Sequence, residues 1–341
     1  MKLNTFLLCL AAVFAFSLTS YAQDDAAEEV QPEGWSYGAA LGADLGQLLQ
    51  FNPRIGSGEN RVGVGINFGA FANKKQGLTN WNNSVSLNLA LQRLGGGIVA
   101  IGSDITVPWQ KSADELRLAS QWGTKFNANS PWGYGIQSTF LTQLTPTYAD
   151  ADGRNLLKQI DNTNAGTPIA QFLSSGTFTL SPGITYRPDD HFDVLLSPAS
   201  FKTVFVLNDD IAALPLYDFI DPDNEGNKAL QQFGATLAAN YQNSYLTDDR
   251  LLLKSSLILF SNYLNNPQNI DVDWRTEVGF LVFKGLTLSL NTILLYDDDI
   301  QVQVTDYDQV GGIRLNADGT PSLGKRASIT QQLLLKYAIV F

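Results

Sequence analysis

The stretch Val62-Gly63-Val64-Gly65-Ile66-Asn67-Phe68-Gly69-Ala70-Phe71-Ala72 decides the fold. Apolar side chains hold every even position, and glycine or asparagine fills most of the odd ones. A period of two places these sets on opposite faces of an extended chain, whereas a helix would need apolar residues three and four apart. The alternation precedes this stretch at Trp35, Tyr37, Ala39, Leu41, Ala43 and Leu45. It follows at Val85, Leu87, Leu89 and Leu91, set against Ser84, Ser86, Asn88 and Gln92. Further runs lie near 115–127, 132–144, 172–187, 191–207, 229–243, 250–263, 270–283, 286–296 and 327–341. About 12 strands result, an even number, each long enough to cross a bilayer at the usual tilt. The expected fold is therefore all-β, a transmembrane antiparallel up-and-down β-barrel.

Connection lengths give an independent reading. The even-numbered connections are short, around Asn127 to Pro131, Arg187 to His191 and Lys284-Gly285. Most odd-numbered ones are long, at 95–113, 145–171, 208–228 and 297–326, with Leu264 to Gln268 as the short exception. Short periplasmic turns and long external loops alternate in this way in outer-membrane barrels.

Composition agrees. The chain has 341 residues, 44% hydrophobic but only 16% charged, and a mean hydropathy of −0.05. Soluble domains carry about a quarter charged residues, and helical membrane proteins show apolar runs of about 20. Strands with one lipid-facing side satisfy both numbers. Aromatics at 11% exclude a disordered chain, and a net charge of −11 argues against a general nucleic-acid binder.

The N-terminus reads as a signal peptide over 1–22: Lys2, an apolar run from Phe6 to Phe16, and Ser20-Tyr21-Ala22 before Gln23. Residues 23–34, with Asp24, Asp25, Glu28, Glu29 and Glu33, read as an acidic periplasmic leader, and 35–341 as the barrel. The cell outer membrane is the expected location. Cys9 is the single cysteine, and Leu8 stands where a lipoprotein signal needs a small residue. Cleavage would leave no cysteine for a disulfide, an iron–sulfur centre or a thiol nucleophile.

The last run places Leu333, Leu335, Tyr337, Ile339 and the terminal Phe341 on one face. It resembles the signal by which outer-membrane barrels are passed to their assembly machinery, making that machinery and outer-membrane lipid the expected partners, alongside possible envelope proteins. Aromatics on the apolar phase cluster at strand ends. Trp122, Phe126, Trp132, Tyr134, Tyr186, Phe192, Tyr241, Tyr337 and Phe341 are expected in a periplasmic girdle, with Tyr263, Trp274 and Tyr296 in an outer one. Pro182 and Pro198 fall inside the sixth and seventh strands, nearly opposite one another. Proline cannot donate to a ladder, and a closed barrel has no edge to hide it, so a bulge or break in pairing is expected there.

The segments Phe260-Ser261-Asn262-Tyr263-Leu264-Asn265-Asn266-Pro267-Gln268-Asn269-Ile270-Asp271-Val272-Asp273-Trp274 and Leu295-Tyr296-Asp297-Asp298-Asp299-Ile300 resemble those of an uncharacterised family of Bacteroidota outer-membrane β-barrels, known as a domain of unknown function. Leu78-Thr79-Asn80-Trp81 and Leu196-Ser197-Pro198 are further likenesses. The resemblance implies a location and a fold, with no catalytic residues to carry over. The stretch Gly95 to Trp109 is longer than the family leads one to expect.

No catalytic pattern emerges, and no enzyme is expected. The one histidine, His191, follows Arg187-Pro188-Asp189-Asp190 in a short turn, the usual setting of a solvated side chain. Cofactor residues are not identifiable, but the acids invite a metal reading. Antiparallel pairing through Lys284-Gly285 would bring Asp271 and Asp273 beside Asp297, Asp298 and Asp299, where Ca²⁺ or Arg275 could offset the repulsion, or solvent could screen it. Asp221, Asp223, Glu225 and Gly226 resemble the opening of a calcium loop, but Gln232 holds its twelfth position.

The polar phase defines the expected lumen: Glu115, Arg117, Lys125, Arg187, Asp193, Lys254, Asp273, Arg275, Glu277 and Lys336. Mixed signs fit either a salt-bridged plug or a narrow pore with opposed charged walls, and 145–171 and 297–326 are candidate constrictions. Two functions follow: a passive channel or transporter for small hydrophilic solutes, or a structural or assembly component of an outer-membrane complex without transport activity.

Overall fold

The computed structural model describes residues 33–51, 61–94, 109–148, 168–214, 217, 220, 226–298, 302–306, 312–314, 316–317 and 322–340. The expected signal peptide, most of the leader, Asp221, Asp223, Glu225, Asp299, Phe341 and nearly all of the stretch from Gly95 lie outside them.

Twelve long strands form one closed antiparallel barrel. They are β1 (Gly34–Phe51), β2 (Arg61–Gln76), β3 (Thr79–Leu94), β4 (Trp109–Lys125), β5 (Trp132–Thr142) and β6 (Ser174–Tyr186), then β7 (Phe192–Val206), β8 (Ala229–Tyr245), β9 (Leu251–Asn262), β10 (Asp271–Phe283), β11 (Leu286–Tyr296) and β12 (Ser328–Val340). Each pairs with its sequence neighbours, and β1 closes on β12 from Ala40 opposite Val340 to Phe51 opposite Ile329. Closure removes the edges of the sheet and keeps the strands' amides and carbonyls in inter-strand ladders.

The end at which β1 begins carries the tight turns, including Gly77-Leu78 and Lys284-Gly285, where Gly77 and Gly285 have φ of 57° and 85°. The opposite end carries the long connections, and 263–270 is the short one among them. These ends are called the turn end and the loop end below.

The outer face is apolar. Tyr37 is 82% exposed, Leu45 60% and Ile66 56%, with Val64, Leu118, Leu196, Leu290 and Leu333 among many others. Water-facing surfaces rarely hold an apolar area this continuous, because each exposed Å² costs about 25 cal/mol. Aromatics band the turn end: Trp35 meets Trp81 at 5.8 Å, Trp122 meets Tyr134 at 6.0 Å, and Trp132 meets Tyr186 at 4.6 Å. Tyr241 lies on the outward phase of β8 and bonds Tyr245, while Tyr337 is exposed on β12. Trp35, Tyr37, Trp81 and Tyr245 extend the belt beyond the residues expected from sequence. At the loop end, Phe233 packs edge-on against Tyr263 at 5.9 Å.

The prolines break the ladder where expected. β6 and β7 pair up to Leu180 opposite Phe201 and resume at Ile184 opposite Leu196. The β7–β8 register shifts at the same place, between Ser197 and Ser200. Hydroxyls serve the freed carbonyls: Ser197 Oγ donates to Pro182 O at 2.6 Å, and Tyr263 Oη donates to Pro198 O at 3.1 Å. Gly183 permits the close approach, since a Cβ there would lie 2.3 Å from Leu196 O.

The extra residue in β7 also reverses its phase. Leu195 and Ser197 are buried inward on odd positions before the bulge, whereas Ser200 and Val206 are buried inward on even positions after it. Without the bulge Lys202 would face lipid, at a cost that grows with depth to about 2–4 kcal/mol at the bilayer midplane, and Phe201 and Phe205 would face the lumen.

At the loop end, Val206, Ile211, Tyr217 and Ile220 form an apolar cluster with Val204 and Leu230. Asn208 caps the helical turn Asp209–Ala212, its Oδ1 accepting from Ile211 N at 3.0 Å. Tyr217 Oη donates to Ile169 O at 2.9 Å, tying the β7–β8 connection to the β5–β6 connection. Burial pushes that phenol above its ordinary range, so it remains a donor.

Candidate functional site: the charged lumen

Alternation dictates what the interior receives, since the residues between the lipid-facing positions point into the barrel. A cavity of about 1080 Å³ occupies it, running from the level of Glu115 and Arg275 to the turn-end residues Asp190, His191 and Asp249. Liquid water occupies about 30 Å³ per molecule, so the space suits tens of waters or a small solute. Among the residues expected in the lumen, Glu115, Asp193, Lys254, Arg275, Glu277 and Lys336 line it.

An ion pair joins opposite walls and narrows the lumen. β4 and β10 lie six strands apart in either direction round the twelve-stranded ring. Arg275 Nη1 of β10 nevertheless reaches Glu115 Oε1 of β4 at 3.7 Å. The same guanidinium grips Asp273 on its own strand, with Nε to Oδ1 at 2.9 Å and Nη2 to Oδ2 at 3.1 Å. Arg117, two residues along β4 from Glu115, lies within electrostatic range of Arg275, Glu115 and Asp273. Wall side chains therefore make this constriction, while most of the candidate constricting segments 145–171 and 297–326 lie outside the described residues. Both sequence alternatives meet here, because the opposed charged walls are also salt-bridged.

A second group sits on neighbouring strands. Lys336 Nζ of β12 bonds Glu277 Oε1 of β10 at 2.7 Å, and Ser289 Oγ of β11 donates to the same oxygen at 2.9 Å. Two carboxylates in the cavity wall instead have amide partners: Asn67 donates to Asp44, and Asn240 Nδ2 donates to Asp193 Oδ2 at 3.3 Å. Sequence reading missed Asp44 and Asn67, although Asp44 stands on the polar phase of the first run.

Lys125 and Arg187 are placed at the turn-end limits of β4 and β6, outside the cavity lining. His191 lines its mouth, with Nδ1 3.1 Å from Gln242 O.

Three of the five acids expected to hold Ca²⁺ have cationic partners. Asp273 is taken by Arg275, Asp271 lies 3.7 Å from Lys202, and Asp298 lies 3.0 Å from Lys325. Among the described residues no group of three or more acidic, histidine or cysteine side chains is gathered for a metal ion. The strand pairing expected from sequence is present, with Val272 opposite Tyr296, but the acids diverge to separate partners. The compensation that like charges require comes from lysine and arginine.

Residues 49–148 match the model of a family described as proteins of unknown function (DUF3078). The match includes Leu78 to Trp81, while the segments beginning at Phe260 and Leu295 lie outside it. No curated protein matches the chain by sequence. Among solved structures, an outer membrane channel from Pseudomonas putida F1 is 13% identical with a TM-score of 0.38, covering 94% of this chain and 100% of that one. The NanC porin is 6% identical with a TM-score of 0.36, covering 86% and 98%. The translocator domain of the autotransporter NalP from Neisseria meningitidis is 9% identical with a TM-score of 0.29, covering 98% and 94%. These likenesses extend to the barrel fold alone.

Proposed function

We propose that the chain is an outer-membrane barrel that passes small hydrophilic solutes passively through its lumen. The observation that carries this reading is the polar, charged cavity of about 1080 Å³ inside a barrel with an apolar exterior. The signal-type segment 1–22 and the short-turn, long-loop alternation support the location. Within the lumen wall the carboxylates Asp44, Glu115, Asp193 and Glu277 are engaged by amides or cations, and the one histidine sits at the mouth.

Liposome swelling tests the reading. Vesicles carrying the folded chain should take up arabinose faster than protein-free vesicles and admit the trisaccharide raffinose more slowly, because the Glu115–Arg275 bridge narrows the path. Equal swelling with and without protein would overturn it. Stoichiometric co-purification of such a silent barrel with other envelope proteins would then favour the assembly role.

A further inference from the structure

We propose that Arg117 is an oxyanion-binding residue of the lumen, and that the solutes it selects are small molecules bearing a carboxylate or a phosphate. The inference rests on the channel reading and assigns that channel a substrate class.

Acceptors at the constriction are shared unevenly between its two arginines. Two guanidiniums and two carboxylates meet there, yet both carboxylates bond to Arg275: Asp273 through two hydrogen bonds and Glu115 across the lumen at 3.7 Å. Among the described residues the Arg117 side chain has neither a hydrogen bond nor an ion pair, and its Nε is buried with no acceptor. An arginine cannot relieve this state by releasing its proton, and its planar donors cannot be satisfied by a neighbouring amide N–H. Leaving such a group shielded from water without a partner is costly, so an arriving acceptor with negative charge recovers that cost on binding.

Geometry restricts what can arrive. Arg117 stands just behind the cavity lining, but Glu115, two residues along the same face of β4, and Arg275 both line it, so a solute filling the cavity reaches the level of the constriction. Carboxylate and phosphate both match the guanidinium fork, accepting two N–H bonds side by side. A neutral sugar of the same size offers Arg117 hydroxyl acceptors but neither a charge nor two oxygens set side by side, so its hydrogen bonds there are weaker. Arg275 adds a second positive charge beside Arg117, which favours an anion further, while Glu115 and Asp273 keep the site close to neutral and binding weak enough for release.

The full chain, reconstituted in planar bilayers, is probed with glucose, gluconate and glucose 6-phosphate. These share six carbons and differ in carrying no charge, a carboxylate or a phosphate. Gluconate, glucose 6-phosphate or both should interrupt the current at concentrations at least about tenfold below glucose, a factor that corresponds to roughly 1.4 kcal/mol. Which anion is stronger identifies the headgroup. Arg117→Gln should abolish the preference, and heat-modifiable gel mobility reports whether that variant is folded. If it is not, a density map of the wild-type protein with gluconate should show the carboxylate on Arg117; the anion lodged elsewhere would overturn the assignment. Equal action of the three probes on a conducting barrel, or a preference that survives Arg117→Gln, would overturn it while leaving the channel intact. A barrel without openings would overturn both.

Discussion

Asp114 does the work of a missing strand. β5 ends at Thr142, and just beyond it Asp114 of β4 accepts from Leu144 N at 2.8 Å, Thr145 N at 2.7 Å and Thr145 Oγ1 at 2.6 Å. Lys111 Nζ, 3.0 Å away, balances the charge and donates to Thr145 O at 2.8 Å. Asp114→Ala leaves two amides without an acceptor and the Lys111 ammonium without a counter-charge, and should lower barrel stability by about 2–4 kcal/mol, read as a shift in the urea midpoint of the reconstituted protein. Asp298 offers a pH test outside the barrel wall. The hydrogen bond from Lys325 holds its carboxylate below the ordinary aspartate range. Its ionised form is thus favoured by the folded loop, so the tie is complete above about pH 4 and loosens as pH falls through the lowered value. Asn269 Nδ2 donates to the same carboxylate at 2.6 Å, and its side-chain amide resonance should titrate with a midpoint that rises in Lys325→Ala. Neither role was legible in sequence, because Asp114 and Thr145 meet only through strand register and Lys325 arrives from a long connection.

Among the strands, β7 carries the most information. Phe192, Val194 and Leu196 are apolar on even positions, whereas Phe201 and Phe205 are apolar on odd ones, so the phase reversal was present in sequence and the two prolines marked where it falls. What sequence could not supply was the hydroxyl repair by Ser197 and Tyr263, which depends on side chains meeting across three strands. The reversal predicts labelling. With Cys9 replaced, Thr203→Cys should react with a maleimide that partitions into lipid, and Lys202→Cys with a charged thiol reagent from water; the opposite pattern would place the bulge elsewhere. The twelve strands themselves were legible because lipid outside and polar groups inside impose a period of two on every one of them. Loop-end connections carry no such constraint, and the lysines Lys202 and Lys325 that meet Asp271 and Asp298 were not legible from the acids alone.

At the scale of the whole barrel, the decisive contact joins the two strands farthest apart. Alternation assigns Glu115 and Arg275 to the interior, and adjacency along the chain assigns neighbours, but neither says which residues face one another across a closed ring. That relation depends on strand number, tilt and stagger together. It makes the lumen narrow and charged, and it commits both acids of the constriction to Arg275 while leaving Arg117 without an acceptor among the described residues. A path of this kind should conduct weakly until the bridge is cut. Single-channel recording of the wild-type chain beside Arg275→Gln tests this most directly: the account predicts ohmic openings in both and a larger conductance in the variant. No openings in either, or equal conductance in the two, would contradict it.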